Sequence, residues 1–208
     1  MRIRPLRGLV ALVMGCTAIA SASAQDPRIP TRLDGPTQRA IFAIVDSARA
    51  EGIPAEPLME KFYEGIARGA DGPRIVAAVR SLALEMSSAH KALGTVASAD
   101  EIKAAASAMH AGVPAVELGK MKREGGLRRS FALPFTVLTD IVSRGVPVQA
   151  AANAIRSLVS SGARDADINT FQRNVKVDIE QGAPPAAAAE TRAKAAATGK
   201  PDGKPDTK

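Results

Sequence analysis

From residue 36 to 182, apolar side chains recur every three or four positions, and no stretch alternates convincingly in the two-residue period of a half-buried strand. Ile41, Phe42, Ile44, Val45 and Ala48 form a stripe that predicts a helix from about Pro36 to Ala50, stopped by Gly52. Leu58, Phe62 and Ile66 predict a short second helix between Pro54 and Gly69, with Pro54 in its first turn. A third helix starts near Pro73 and carries Ile75, Val79, Leu82, Met86 and Leu93. Ser98 and Glu101 have the spacing of a capping box, which opens a fourth helix ending at Gly112. Further helices are expected from Pro114 to Glu124, from about Leu133 to Arg144, and from Pro147 with Ile155 and Leu158 aligned. One more helix follows it, capped by Asp165 or Asp167 and carrying Ile168, Phe171, Val175 and Ile179 up to Gly182. The fold class is therefore all-α: a compact array of about seven to nine short helices forming a single domain over residues 36–182.

The helices are punctuated by a repeat. Gly52-Ile53-Pro54-Ala55, Leu58, Glu64-Gly65 and Arg68 return sixty residues later as Gly112-Val113-Pro114-Ala115, Leu118, Glu124-Gly125 and Arg128. Arg80-Ser81-Leu82 then returns as Arg156-Ser157-Leu158, offset by seventy-six residues, so the second copy of a helix pair has gained about one helix around Ser130 to Asp140. Gly145-Val146-Pro147 and Gly182-Ala183-Pro184 mark two more corners. In each, Gly supplies the left-handed turn that closes one helix, and Pro, lacking an N–H, begins the next.

The ends read differently. Arg2, Arg4 and Arg7, the apolar run from Leu9 to Ala20 and the small residues Ala22-Ser23-Ala24 predict a secretory signal peptide over residues 1–24. An alternative takes Val13-Met14-Gly15-Cys16 as a lipobox, with Cys16 lipidated and the protein tethered to a membrane. Residues 25–35 are expected to be a mobile N-terminal segment. Residues 183–208 are expected to form an alanine-rich helix, at best loosely docked for want of large apolar anchors, running into a disordered basic tail. Removing residues 1–24 takes away three arginines and no acid, so the formal charge falls from +7 to +4. That balance does not point to nucleic acid.

Candidate chemistry is sparse. Neither His90 nor His110 has metal-type spacing with other ligands, and Asp165-Ala166-Asp167 begins a calcium-like loop that fails at Thr170 and Lys176, so no metal and no cofactor is predicted. Lys120, Lys122, Arg123, Arg128 and Arg129 form the densest basic cluster and are the tentative binding residues for an anionic lipid or polymer. Glu64 with Arg68 and Glu124 with Arg128 are repeat-equivalent charged pairs that two copies of one face would present to a partner. A groove for a peptide would carry Phe62, Met121, Phe131 or Phe135. The expected function is a non-catalytic, exported helical interaction or scaffold module, periplasmic, whose partner is another envelope protein or a peptide. The alternative is an envelope-associated binder of anionic ligand through the basic cluster. A small envelope hydrolase using Glu60 or Glu64 is the least supported reading.

Overall fold

Glycine corners set the course of the chain. In the computed structural model, which describes residues 34–126 and 129–198, six helix ends close in the same way: Gly52, Gly69, Gly112, Gly145, Gly162 and Gly182 all have positive φ. The N–H after each glycine reaches back five residues, as from Ile53 to the Ala48 carbonyl at 2.9 Å, Val113 to Ala108 at 2.9 Å and Val146 to Ile141 at 3.1 Å. These are Schellman closures, and the residue that makes the bond is apolar and turned inward: Ile53, Val113 and Val146 are all buried. Proline sits one step earlier than the sequence suggests. Pro114, Pro147 and Pro184 are the residues preceding the helices, with extended backbone, and their carbonyls accept the first helical hydrogen bonds.

Nine helices follow in order among the described residues, and no strand: α1 Gly35–Ala50, α2 Glu56–Ala67, α3 Gly72–Leu93, α4 Ala99–His110, α5 Ala115–Glu124, α6 Ala132–Ser143, α7 Val148–Ser160, α8 Asp165–Glu180 and α9 Pro185–Ala197. Helix α1 begins earlier than expected because the Asp34 carboxylate accepts the Thr37 N–H at 2.8 Å. The capping box at α4 is formed: Ser98 accepts from the Glu101 amide, and Glu101 accepts from the Ser98 amide. At α8 the capping residue is Arg164, and Asp167 serves from inside the first turn, taking the Arg164 N–H at 2.8 Å.

Each helix packs chiefly on helices one or two places away in the chain: α3 on α1, α2, α4 and α5; α6 on α4, α7 and α8; α9 on α7 and α8. One core runs through this ladder and includes Leu58, Met86, Leu118, Phe135, Leu158 and Phe171. Helix α9 is its last rung. Ala188, Ala189 and Ala193 are buried, and Arg192 grips the Asp178 carboxylate of α8 through two hydrogen bonds of 2.7 and 2.8 Å. Small side chains let α9 lie close to α7 and α8, so it docks firmly without bulky apolar anchors, contrary to the loose docking expected from its composition. No helix among the described residues is long and apolar enough to cross a membrane. The expected signal peptide, Cys16, the segment up to Leu33, Arg128 and the basic tail from Gly199 lie outside the described residues.

The repeat is visible as packing. Leu58 and Leu118, matched in sequence, are both fully buried on α2 and α5. The matched Gly65 and Gly125 are both places where a later residue presses on the chain: an added Cβ would lie 2.8 Å from Ile75 at the first and 2.3 Å from the Phe131 ring at the second. Helix α6, twelve residues long, lies within the sixteen extra residues that separate the two offsets. Beyond it the surroundings differ: α3 packs on α1, α2, α4 and α5, while its match α7 packs chiefly on α6 and α9.

Candidate functional site

Among the described members of the basic cluster, Lys122 is withdrawn from the surface that Lys120 and Arg123 share. Successive residues on a helix are turned by about 100° from one another, so Lys120 and Lys122 face different ways on α5. The Lys122 side chain is 5% exposed and its ammonium meets the Glu101 carboxylate, itself 3% exposed, deep between α4 and α5. The same carboxylate oxygen accepts the Phe131 N–H at 2.8 Å, the other accepts the Ser98 N–H at 2.9 Å, and the ammonium lies 5.4 Å from the centre of the Phe131 ring. Burial is the largest influence on Glu101 and pushes its carboxyl pKa up. The hydrogen bonds from Lys122, Phe131 and Ser98 outweigh it and hold the group below its ordinary 4.5. This is an internal tie joining α4, α5 and the start of α6, with its acceptors in use.

The other described members stay nearer the surface. Arg129 donates to the Ala163 carbonyl at 2.6 Å and approaches Asp165 at 3.5 Å. Lys120 stands 4.0 Å from Glu124, and Arg123 is exposed. Of the two charged pairs, only the first lies wholly among the described residues, since Arg128 falls outside them. Glu64 pairs with Arg68 at 2.6 Å and Lys61 at 2.9 Å, whereas Glu124 turns to Arg156 of α7 at 3.3 Å. The hydrogen bond from Lys61 is the main cause holding Glu64 below the usual carboxylate range, which keeps it ionised and unsuited to act as a general acid near neutrality. Glu60 is also exposed and bound to Lys103 at 2.8 Å.

An open groove runs over α4 and α6 and continues across α3 toward α2. One lobe, of about 580 Å³, lies between Asp100, Lys103, Ala104 and Ser107 of α4 and Ala132, Thr136, Thr139 and Ser143 of α6. A second, of about 520 Å³, is bounded by Lys61 of α2, Ser81 and Glu85 of α3, and His110 at the end of α4. Ser107, Thr139 and Ser143 line both lobes, making them one groove. His110 Nδ1 lies 3.1 Å from Glu85, tying α4 to α3 at one end. On the α6 wall, Asp140 is bound twice by Arg144 at 3.0 Å and by Gln172 of α8 at 2.9 Å. Burial raises the Asp140 pKa, but those donors outweigh it and hold the group below 3.8.

Phe62, Met121, Phe131 and Phe135, expected at a peptide groove, are all buried in the core instead. The groove residues escaped the sequence reading because none is large or reactive. Their signal is spacing: Ala132, Thr136, Thr139 and Ser143 recur by fours and threes on α6, and Ala104, Ser107 and Ala111 do so along α4. A stripe of small and hydroxylic residues on each of two packed helices leaves a trough above their contact line. No metal-type grouping of His, Cys, Asp and Glu occurs among the described residues. Comparison with protein families, with curated proteins and with solved structures returns no match for this chain.

Proposed function

We propose that this chain is an exported, non-catalytic interaction module that holds an extended segment of a partner protein in the groove over α4 and α6. The observation that carries the reading is the groove itself. It is open, bounded by four helices, and lined along its floor by small and hydroxyl-bearing side chains with charged groups at its margins. A trough of this kind admits a chain in extended form and meets its backbone amides with fixed polar atoms. Export and a place in the cell envelope are part of the proposal and rest on residues 1–24 of the sequence. The anionic-polymer alternative loses Lys122, which is buried against Glu101, and Arg129 is engaged by the Ala163 carbonyl.

The test is to fill the groove from within. Ser107 and Thr136 are exposed on its two walls, so Ser107→Trp and Thr136→Trp obstruct it without touching the core. Each is expected to leave stability within about 0.5 kcal/mol of the parent, as surface substitutions do. Each should also abolish retention of peptides selected from a random twelve-residue library on the unaltered protein. Peptides that bind both tryptophan variants as tightly as the parent would rule the groove out.

A further inference from the structure

We infer that the segment seated in this groove is a basic one, an extended peptide bearing lysine or arginine; the inference rests on the groove reading above. It follows from which hydrogen-bonding groups of the groove remain open. Ser107 donates its hydroxyl proton to the Lys103 carbonyl at 3.1 Å, Thr136 to the Ala132 carbonyl at 2.8 Å, and Thr139 to the Phe135 carbonyl at 2.9 Å. Ser81 donates to Glu85 at 3.4 Å. A hydroxyl has one proton and two lone pairs, so with their protons already engaged these four oxygens meet a ligand as acceptors, and of the hydroxyls in the lining Ser143 alone keeps its proton to give. A ligand that matches them is rich in N–H donors.

Charge points the same way. The cations of the groove wall are already held by carboxylates outside it, Lys103 by Glu60 at 2.8 Å and Lys61 by Glu64 at 2.9 Å. Lys103 in fact stands among Glu56, Glu60 and Asp100, so the field at that end is set by the acids. Asp100 is in no ion pair among the described residues, although it lies close enough to Lys103 to act on it. At the far end Glu85 contacts the His110 ring and the Ser81 hydroxyl rather than a lysine or arginine. Asp100 and Glu85 thus leave negative charge at the two ends of a row of acceptors. An ammonium or guanidinium carries several donors and a positive charge at once, which is the complement of this lining.

The experiment is selection from the same twelve-residue library on the protein expressed from its full-length sequence, followed by affinity measurement on Glu85→Gln and Asp100→Asn. Selected peptides are expected to be enriched in lysine and arginine, and to bind the double variant about tenfold more weakly, with a reduced dependence on salt. Circular dichroism checks that the variants remain folded. Enrichment of neutral or acidic peptides that Ser107→Trp still excludes would overturn the basic ligand and leave the groove reading intact. Recovery of no peptide, or of peptides indifferent to Ser107→Trp, would overturn both.

Discussion

Replacing Lys122 by Met is expected to lower the stability of the protein by about 3–5 kcal/mol, the usual consequence of stranding one half of a buried ion pair. The substitution keeps the length of the side chain but removes the ammonium, leaving the Glu101 carboxylate, 3% exposed, with only the Phe131 and Ser98 amides. For a domain of this size that corresponds to a fall in melting temperature of roughly 6–20 °C. Glu101→Gln should also destabilise, and the double variant should lose much less than the two single losses added together, because neither charge is then left alone. The acid limb carries the same signature. Glu101 is held below 4.5 in the folded state, so the unfolded chain takes up a proton first as pH falls. Its contribution is complete above about pH 4.5 and disappears as pH drops through the lower folded value. Asp140 and Asp178, held below 3.8 chiefly against burial and by Arg192 respectively, act in the same direction at somewhat lower pH. Melting temperature should therefore fall below about pH 4.5 in the parent and more gently in Lys122→Met. A melting temperature within 2 °C of the parent at neutral pH, where about 6 °C or more is expected, would show that the tie is not a closed, buried pair.

Gly119→Ala is the second informative change, because two principles give it opposite signs. In a helix interior alanine is favoured over glycine by about 1 kcal/mol, which on its own predicts a more stable protein. Packing predicts the reverse. A Cβ at Gly119 would stand 2.6 Å from the Ala92 carbonyl oxygen of α3, a backbone atom that cannot rotate away, and 3.1 Å from the Arg123 guanidinium. Helix α5 would have to retreat from the end of α3, and Leu118 and Met121, both buried at that contact, would move with it. Overpacking of this kind costs about 1–3 kcal/mol, so the net effect in a urea titration should be a loss. A gain in stability would mean that α3 and α5 are not in close approach at this point.

The features legible in the sequence are those whose physics is local. Helix positions followed from three-and-four spacing, and the corners followed from glycine. The capping box at Ser98 and Glu101 was readable from two residues. What was not legible depends on which residues meet across the fold. Lys122 reads as one of five neighbouring cations, yet it sits on the inner face of α5, twenty-one positions along the chain from the acid that holds it. Glu101 reads as a cap alone, although its second oxygen closes that pair. Helix α9 lacks large apolar residues, and only contact with α7 and α8 shows that alanine is the size the site requires. The groove was hidden for a related reason. Its lining is small and unreactive, so composition does not single it out, while the phenylalanines that seemed available for binding are needed to fill the core.

This also explains why the duplication is a guide to architecture and a poor guide to equivalent surfaces. The matched positions Ile53 and Val113, Leu58 and Leu118, and Gly65 and Gly125 all serve interior packing. Their charged companions have been re-used, Glu64 within α2 and Glu124 toward α7. Selection for a core constrains buried volume tightly and exposed charge weakly, so two copies of a helix pair keep the former and redistribute the latter.

The central claim, that a partner segment lies along α4 and α6, is tested most directly by placing a photoreactive amino acid at single positions and irradiating the native cells that express the protein. Thr136 lies in the groove, while Val177 of α8 and Val116 of α5 are exposed positions that do not line it. The account predicts a discrete crosslinked adduct from position 136, lost when Ser107→Trp is added, and none from positions 116 and 177. Adducts from 116 or 177 with none from 136 would contradict it.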